Sequence, residues 1–167
     1  MLPLYFSDQR RFGNFKVVDT VEATAKLGRL GWDAIEDPRG SVTSSLLTKH
    51  GKKAIADVLL MQDVFAGVGN YVRAEALYRA RIHPDRLVGN VSAAELTALC
   101  AAVSAVLNES YKVGGATLKT FYTDGERGGF SNQLRVYGRH ADPEGNLTDR
   151  KKDRKGRTVW FVPDIQT

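Results

Sequence analysis

The sequence is poor in the residues that build covalent frameworks and metal centres. Its only cysteine is Cys100, which leaves no disulfide framework and no thiolate metal site. The three histidines, His50, His83 and His140, are far apart and show no ligand spacing such as H-x-x-x-H. No stretch approaches the roughly 18 consecutive apolar residues that a membrane-spanning helix needs. The apolar stretch before the arginines of MLPLYFSDQRR is too short for a secretory signal. These absences predict an intracellular protein, in cytoplasm, nucleoid or nucleus, with no metal, no cofactor and no membrane partner. Two nucleotide-binding signatures also fail on spacing. Gly67 and Gly69 lack the third glycine of a dinucleotide fingerprint, because position 72 is Val72, and Gly51-Lys52 lacks the earlier glycine of a Walker loop, because position 46 is Leu46.

What is present is ordinary in bulk and uneven in charge. A chain of 167 residues, 43% hydrophobic and 26% charged, can bury one core or two small ones. The net charge is +5 with a sequence pI near 9.4, and the basic residues bunch in RKKDRKGR at 150–157. That balance favours a polyanionic partner. Nucleic acid comes before membrane, because no helix carries a basic face opposite a broad apolar one.

Periodicity and punctuation divide the chain. Residues 4–18 read as two short strands around a polar turn at Ser7 to Arg11. Short helices are expected near 21–27 and 41–49, separated by the breakers of EDPRG. Ile55, Val58, Leu59 and Val64 or Phe65 suit a helix from Lys52 to about Phe65, ended by Gly67-Val68-Gly69-Asn70. A helix follows from about Tyr71 to Ala80, stopped before Pro84. Ser92 and Glu95 form a capping box that opens the clearest helix. Its stripe of Leu96, Leu99, Cys100, Val103, Val106 and Leu107 marks Cys100 as a packing residue. The glycine-rich segment after Lys112 reads as a loop. LRVYG and TVWFVP read as the two strands of a finger that must lean on the helices, since an isolated hairpin is marginal in water and metal ligands are missing.

The turn at residues 67–70 has two readings. Glycines before a helix expose unpaired amides at the positive end of the helix dipole and let a phosphate approach closely. The same residues also make a tight helix–helix corner that touches no ligand.

LLMQDVFAGVGNYVRAEALYRARIHPDRL resembles the helix-two-turn-helix motif of the formamidopyrimidine-DNA glycosylase and endonuclease VIII family, whose G-x-G-N turn grips phosphates beside a damaged or abasic nucleotide. FSDQRRFG is similar to that family's D-P-R-R-F-G, GGATLKTF to its G-G-T-T-L-R-D-F, LRVYGR to the strand entering its finger, and KGRTVWFVPDIQ to its G-R-x-T-x-x-C-P-x-C-Q. The resemblance implies that Arg10 and Phe12 fill the gap left by a flipped-out base. It implies that Asn70, with the backbone of Gly67 and Gly69, holds a phosphate, and that Arg157 is the finger arginine gripping phosphates near the lesion. It also implies a zincless finger, because Val162 and Ile165 stand at the cysteine positions and the preceding C-x-x-C is missing. Met61 stands where the family usually has an aspartate, and Ala56 where some members have a phosphate-binding lysine.

The family's catalytic group is the amine of an N-terminal Pro-Glu, which attacks the sugar C1′. Here Met1-Leu2-Pro3 opens the sequence, so no catalytic residue is expected in this chain, and a separate catalytic domain or subunit is a possible partner. The resulting expectation is a mainly α protein with small β parts. Remnant strands of a β-sandwich domain span 1–20, a helix-two-turn-helix bundle spans 21–129, and a zincless β-hairpin finger spans 130–167. Its function would be phosphate-gripping of damaged or abasic duplex DNA for a glycosylase/AP lyase. The alternatives are a scaffold for structured DNA or RNA, and a weak lyase using Lys52, Lys53 or another lysine.

Overall fold

The computed structural model describes residues 15–37, 47, 49–116 and 129–167. The helix expected near 41–49 falls mostly outside the described residues. So does residue range 4–14 of the expected N-terminal strands, and residues 15–18 carry no strand. Helix α1, Thr20–Leu27, starts where the Asp19 carboxylate accepts the Glu22 amide at 2.8 Å.

The long helix expected over 52–65 is a correction. Only one turn, α2 (Ile55–Val58), is helical. The amides of Ile55 and Ala56 donate to the carbonyls of Arg86 and Pro84, and Val88 and Gly89 return bonds to Lys53 and Gly51. Pairing with a segment some thirty residues later consumes the groups a longer helix needs.

Helix α3, Asn70–Ala80, and helix α4, Ala93–Lys112, form the centre of the molecule. The α3 helix ends on Arg81 in the left-handed conformation (φ 58), ahead of Pro84. The α4 helix begins with the expected capping box, Ser92 Oγ accepting the Glu95 amide and Glu95 accepting the Ser92 amide. Val72, Ala76 and Leu77 of α3 meet Leu99, Val103 and Val106 of α4 over Ile55, Val58 and Phe65. Cys100 is buried in that stripe, as expected. Arg79 clamps Glu109 with two bonds of 2.8 and 2.7 Å, tying α3 to α4 at the surface.

The C-terminal hairpin is antiparallel, β1 (Asp149–Lys152) against β2 (Thr158–Phe161), with Lys152 opposite Thr158 and a turn over 153–157. The basic run is therefore a strand and its turn. LRVYG is a second correction: it forms no strand. The amides of Arg135, Val136 and Tyr137 all donate to the carboxylate of Glu75 on α3, which is 0% exposed. A side chain has taken the place of a partner strand. The hairpin does lean on the helices, through Ala74 and Tyr78 of α3 packed on Val136 and Val162 with Trp160 and Ile165 alongside. Among the described residues, no helix is long and apolar enough to cross a membrane.

Candidate nucleic-acid interface

The turn before α3 is held open by its neighbours. Gln62 braces it from both sides, its Oε1 accepting the Gly67 amide at 3.0 Å and its Nε2 donating to the Val68 carbonyl at 3.1 Å. Gly67 sits at φ 75, where side chains are strained. Gly69 does not: its φ of −111 and ψ of −173 are extended, and a Cβ built there meets nothing among the described residues within 4 Å. A glycine at that position leaves the surface bare.

Gly69 caps α3 with no side-chain bond. The first paired amide of the helix is that of Arg73, which donates to Gly69 O at 2.9 Å. The amides of Val68, Gly69, Asn70, Tyr71 and Val72 have no acceptor among the described residues. Five donors without acceptors among the described residues, at the positive end of a helix and beside a glycine, are the kind of group an anion can bind.

The Asn70 side chain is used differently from the sequence expectation. Its Nδ2 donates to Thr158 O at 3.2 Å and its Oδ1 accepts Arg73 Nη2 at 2.6 Å, which fastens the start of α3 to the start of β2. Arg73 is 0% exposed. Its Nη1 reaches Asp153 Oδ2 at 2.9 Å and Ala56 O at 3.4 Å, and its Nη2 also reaches Thr158 O.

Asp153 then organises the hairpin turn. Its Oδ1 accepts the amides of Lys155 and Arg157, and its Oδ2 accepts Arg157 Nε at 2.8 Å. Burial raises the pKa of this carboxyl, but the hydrogen bonds from Arg73 and from the amide and side chain of Arg157 outweigh it and hold it at about 2. Burial works against the Arg73 cation as well, drawing its pKa below the ordinary 12.5 against the Asp153 bond, yet a guanidinium stays charged in a protein. Because the folded pKa lies below the ordinary 3.8, Asp153 stabilises the fold fully above about pH 4. That contribution is lost as pH falls through about 2. Denaturation followed from pH 5 to pH 2 should show a loss of about 2 kcal/mol from this group. An Asp153→Asn variant, less stable at pH 5, should lack that part of the slope.

Beside the turn lies a cavity of about 470 Å³, bordered by Met61 and Gln62 on one side and by Arg154, Lys155 and Arg157 of the hairpin on the other. Lys53 lines it too, against Asp57 and Asp63, whereas Lys52 does not. The structure thus places the Gly67–Asn70 turn beside the hairpin turn that carries Arg157, linked through Gln62, Thr158 and Asp153. Arg10 and Phe12 lie outside the described residues. Sequence reasoning missed Arg73, Glu75 and Asp153, and the lone acidic residue inside RKKDRKGR was the available signal for the last.

A zinc held at the cysteine positions of the family's finger motif does not fit these residues. Val162 is buried and Ile165 half-buried in the apolar cluster, and neither has a donor atom. Among the described residues, no three His, Cys, Asp or Glu side chains are placed to hold a metal. Hydrogen bonds occupy the same region: Tyr78 Oη meets Asp142 and Glu144, Asp142 accepts the amides of Glu144 and Asn146, and Gln166 spans Val162 and Ile82.

Two central helices, an uncapped glycine turn and a packed C-terminal hairpin define a helix-two-turn-helix protein. The chain belongs to the formamidopyrimidine-DNA glycosylase family, residues 30–122 matching the formamidopyrimidine-DNA glycosylase H2TH domain. It is 40% identical over 171 residues to the formamidopyrimidine-DNA glycosylase of Novosphingobium aromaticivorans and 32% identical over 166 residues to that of Edwardsiella ictaluri. Each match covers 98% of this chain and 62% of the relative, so the chain spans less than two thirds of the length of the curated relatives. Its fold is similar to Lactococcus lactis Fpg solved with DNA containing an abasic site, with TM-score 0.83 and 26% identity over 96% of this chain and 61% of that one. It is also similar to the MutM (Fpg) protein of Thermus thermophilus, with TM-score 0.82 and 32% identity over 95% of this chain and 62% of that one.

Proposed function

We propose that this chain is the damaged-DNA-binding module of a base-excision-repair glycosylase, gripping the phosphates beside a lesion or abasic site in duplex DNA. The observation that carries the reading is the set of unpaired amides at residues 68–72, with Arg157 held close by through Asp153. Main-chain donors read the phosphate rail without reading sequence, their bonds are strong because the phosphate is ionised, and a cation beside them adds its own. In this reading the amides around Gly69 and Asn70 form the seat, Gly67 shapes it, and Arg157 closes it from the finger. Arg10 and Phe12 would enter the gap in the duplex. No residue of the chain is assigned a catalytic role, and base excision belongs to the whole family protein. The likeness to a family member solved with abasic DNA supports the choice of partner.

A salt titration tests this. Binding to a duplex with a stable abasic analogue should be tighter than to the same duplex intact, and log K should fall with log salt by about 0.9 per phosphate engaged. Equal affinity for the two duplexes, or a preference for structured RNA, would favour the scaffold alternative.

A further inference from the structure

We infer that Arg73 and Asp153 act as a buried positioning relay that sets Arg157 against the amide seat, so that one phosphate meets both at once. The inference rests on the phosphate-binding reading above and deepens it.

The geometry is a chain of short bonds with no exposed link until its end. The Arg73 guanidinium touches four parts of the fold at once: α2 through Ala56 O, the first residue of α3 through Asn70 Oδ1, the first residue of β2 through Thr158 O, and the hairpin turn through Asp153. The side chains of Arg73 and Asp153 are 0% and 3% exposed. A planar fork held at both terminal nitrogens has little freedom to tilt, so the hairpin turn is registered against the start of α3. Asp153 passes that register on by taking Arg157 at Nε as well as at its backbone amide. The Arg157 side chain is still 36% exposed, with its Nη atoms not committed to any protein acceptor among the described residues. Two guanidinium groups share the Asp153 carboxylate, with Asp57 acting on Arg73 from further off, and the Arg157 Nη atoms remain uncommitted.

A buried ion pair is not needed for stability, since apolar residues of similar size often serve as well or better. What apolar residues cannot supply is the directional bond to Arg157 Nε. If Asp153 only neutralised Arg157, removing it would strengthen DNA binding. The relay predicts the reverse.

The test uses the full chain carrying Arg73→Met together with Asp153→Asn, which removes the pair while asparagine keeps an oxygen for the Lys155 and Arg157 amides. Thermal melting checks that the fold persists. Binding to abasic-analogue duplex should weaken at least tenfold, and the log–log salt slope should shrink by about 0.9, one phosphate. Arg157→Ala alone should do the same, and adding it to the pair should remove nothing more. Wild-type affinity and slope in the pair variant, with both lost in Arg157→Ala, overturn the relay. If Arg157→Ala also changes nothing, the phosphate reading itself falls and takes the relay with it. Should the pair variant not fold, the wild-type protein decides: the Arg157 Nε–H resonance should be resolved and protected from solvent exchange without DNA, and free exchange there contradicts the relay.

Discussion

Replacing Glu75 with alanine should destabilise the protein by about 3–5 kcal/mol, a large share of the stability of a domain this size. Glu75 is fully buried in the middle of α3 and receives three successive backbone amides, with bonds between 2.9 and 3.1 Å. Alanine would leave the buried Val136 amide and its neighbours without acceptors, at about 1–3 kcal/mol for each group kept from water. It would also empty the space that the side chain fills. Glutamine should cost less, because it keeps one carbonyl oxygen but turns a donor toward the Arg135 amide. Chemical denaturation measures both. A loss below about 1 kcal/mol for the alanine variant would show that water reaches the 135–137 segment and that Glu75 does not anchor the finger.

The second large effect separates binding from folding. Gly69→Val should lower stability by no more than about 1 kcal/mol, the loss of a favourable N-cap residue, because the backbone there is extended and a Cβ meets no atom of the described residues within 4 Å. The branched side chain would instead stand in the open space above the amide seat and keep an anion from close approach. Hydrogen bonds to a charged group contribute about 1.5–3 kcal/mol, so affinity for abasic-analogue duplex should fall roughly ten- to a hundredfold. Unchanged affinity with an intact fold would place the phosphate elsewhere. Gly67→Val is the control with the opposite signature: at φ 75 it strains the turn and lowers stability as well as binding.

These two residues mark the limits of what the sequence discloses. The α4 helix is legible because its signals are local: a capping box three residues across and an apolar stripe at helical spacing. The glycine turn is legible too, though not whether it carries a ligand, since a bare corner and an anion seat use the same residues. LRVYG looks like a strand because its side chains alternate like one. Its amides, however, go to a carboxylate about sixty positions earlier, and nothing near Glu75 in sequence announces that it faces inward. The 52–65 segment fails as a helix for a related reason, its backbone being claimed by residues 84–89. The run RKKDRKGR reads as a basic patch for a polyanion, and only the fold shows Asp153 turned inward to Arg73. What escapes the sequence is long-range polar pairing, which leaves no period. The Asn70 side chain, which the sequence reading assigns to a phosphate, is spent on Thr158 and Arg73, and its backbone amide has no acceptor among the described residues.

Whether the amides of residues 68–72 meet a phosphate is decided most directly by titrating ¹⁵N-labelled protein with abasic-analogue duplex and following the backbone amide resonances. The largest shifts, downfield as in a new hydrogen bond, should fall together on Gly69, Asn70 and Tyr71 and saturate with the binding curve. Saturable binding that leaves these resonances in place while others move would contradict the phosphate seat.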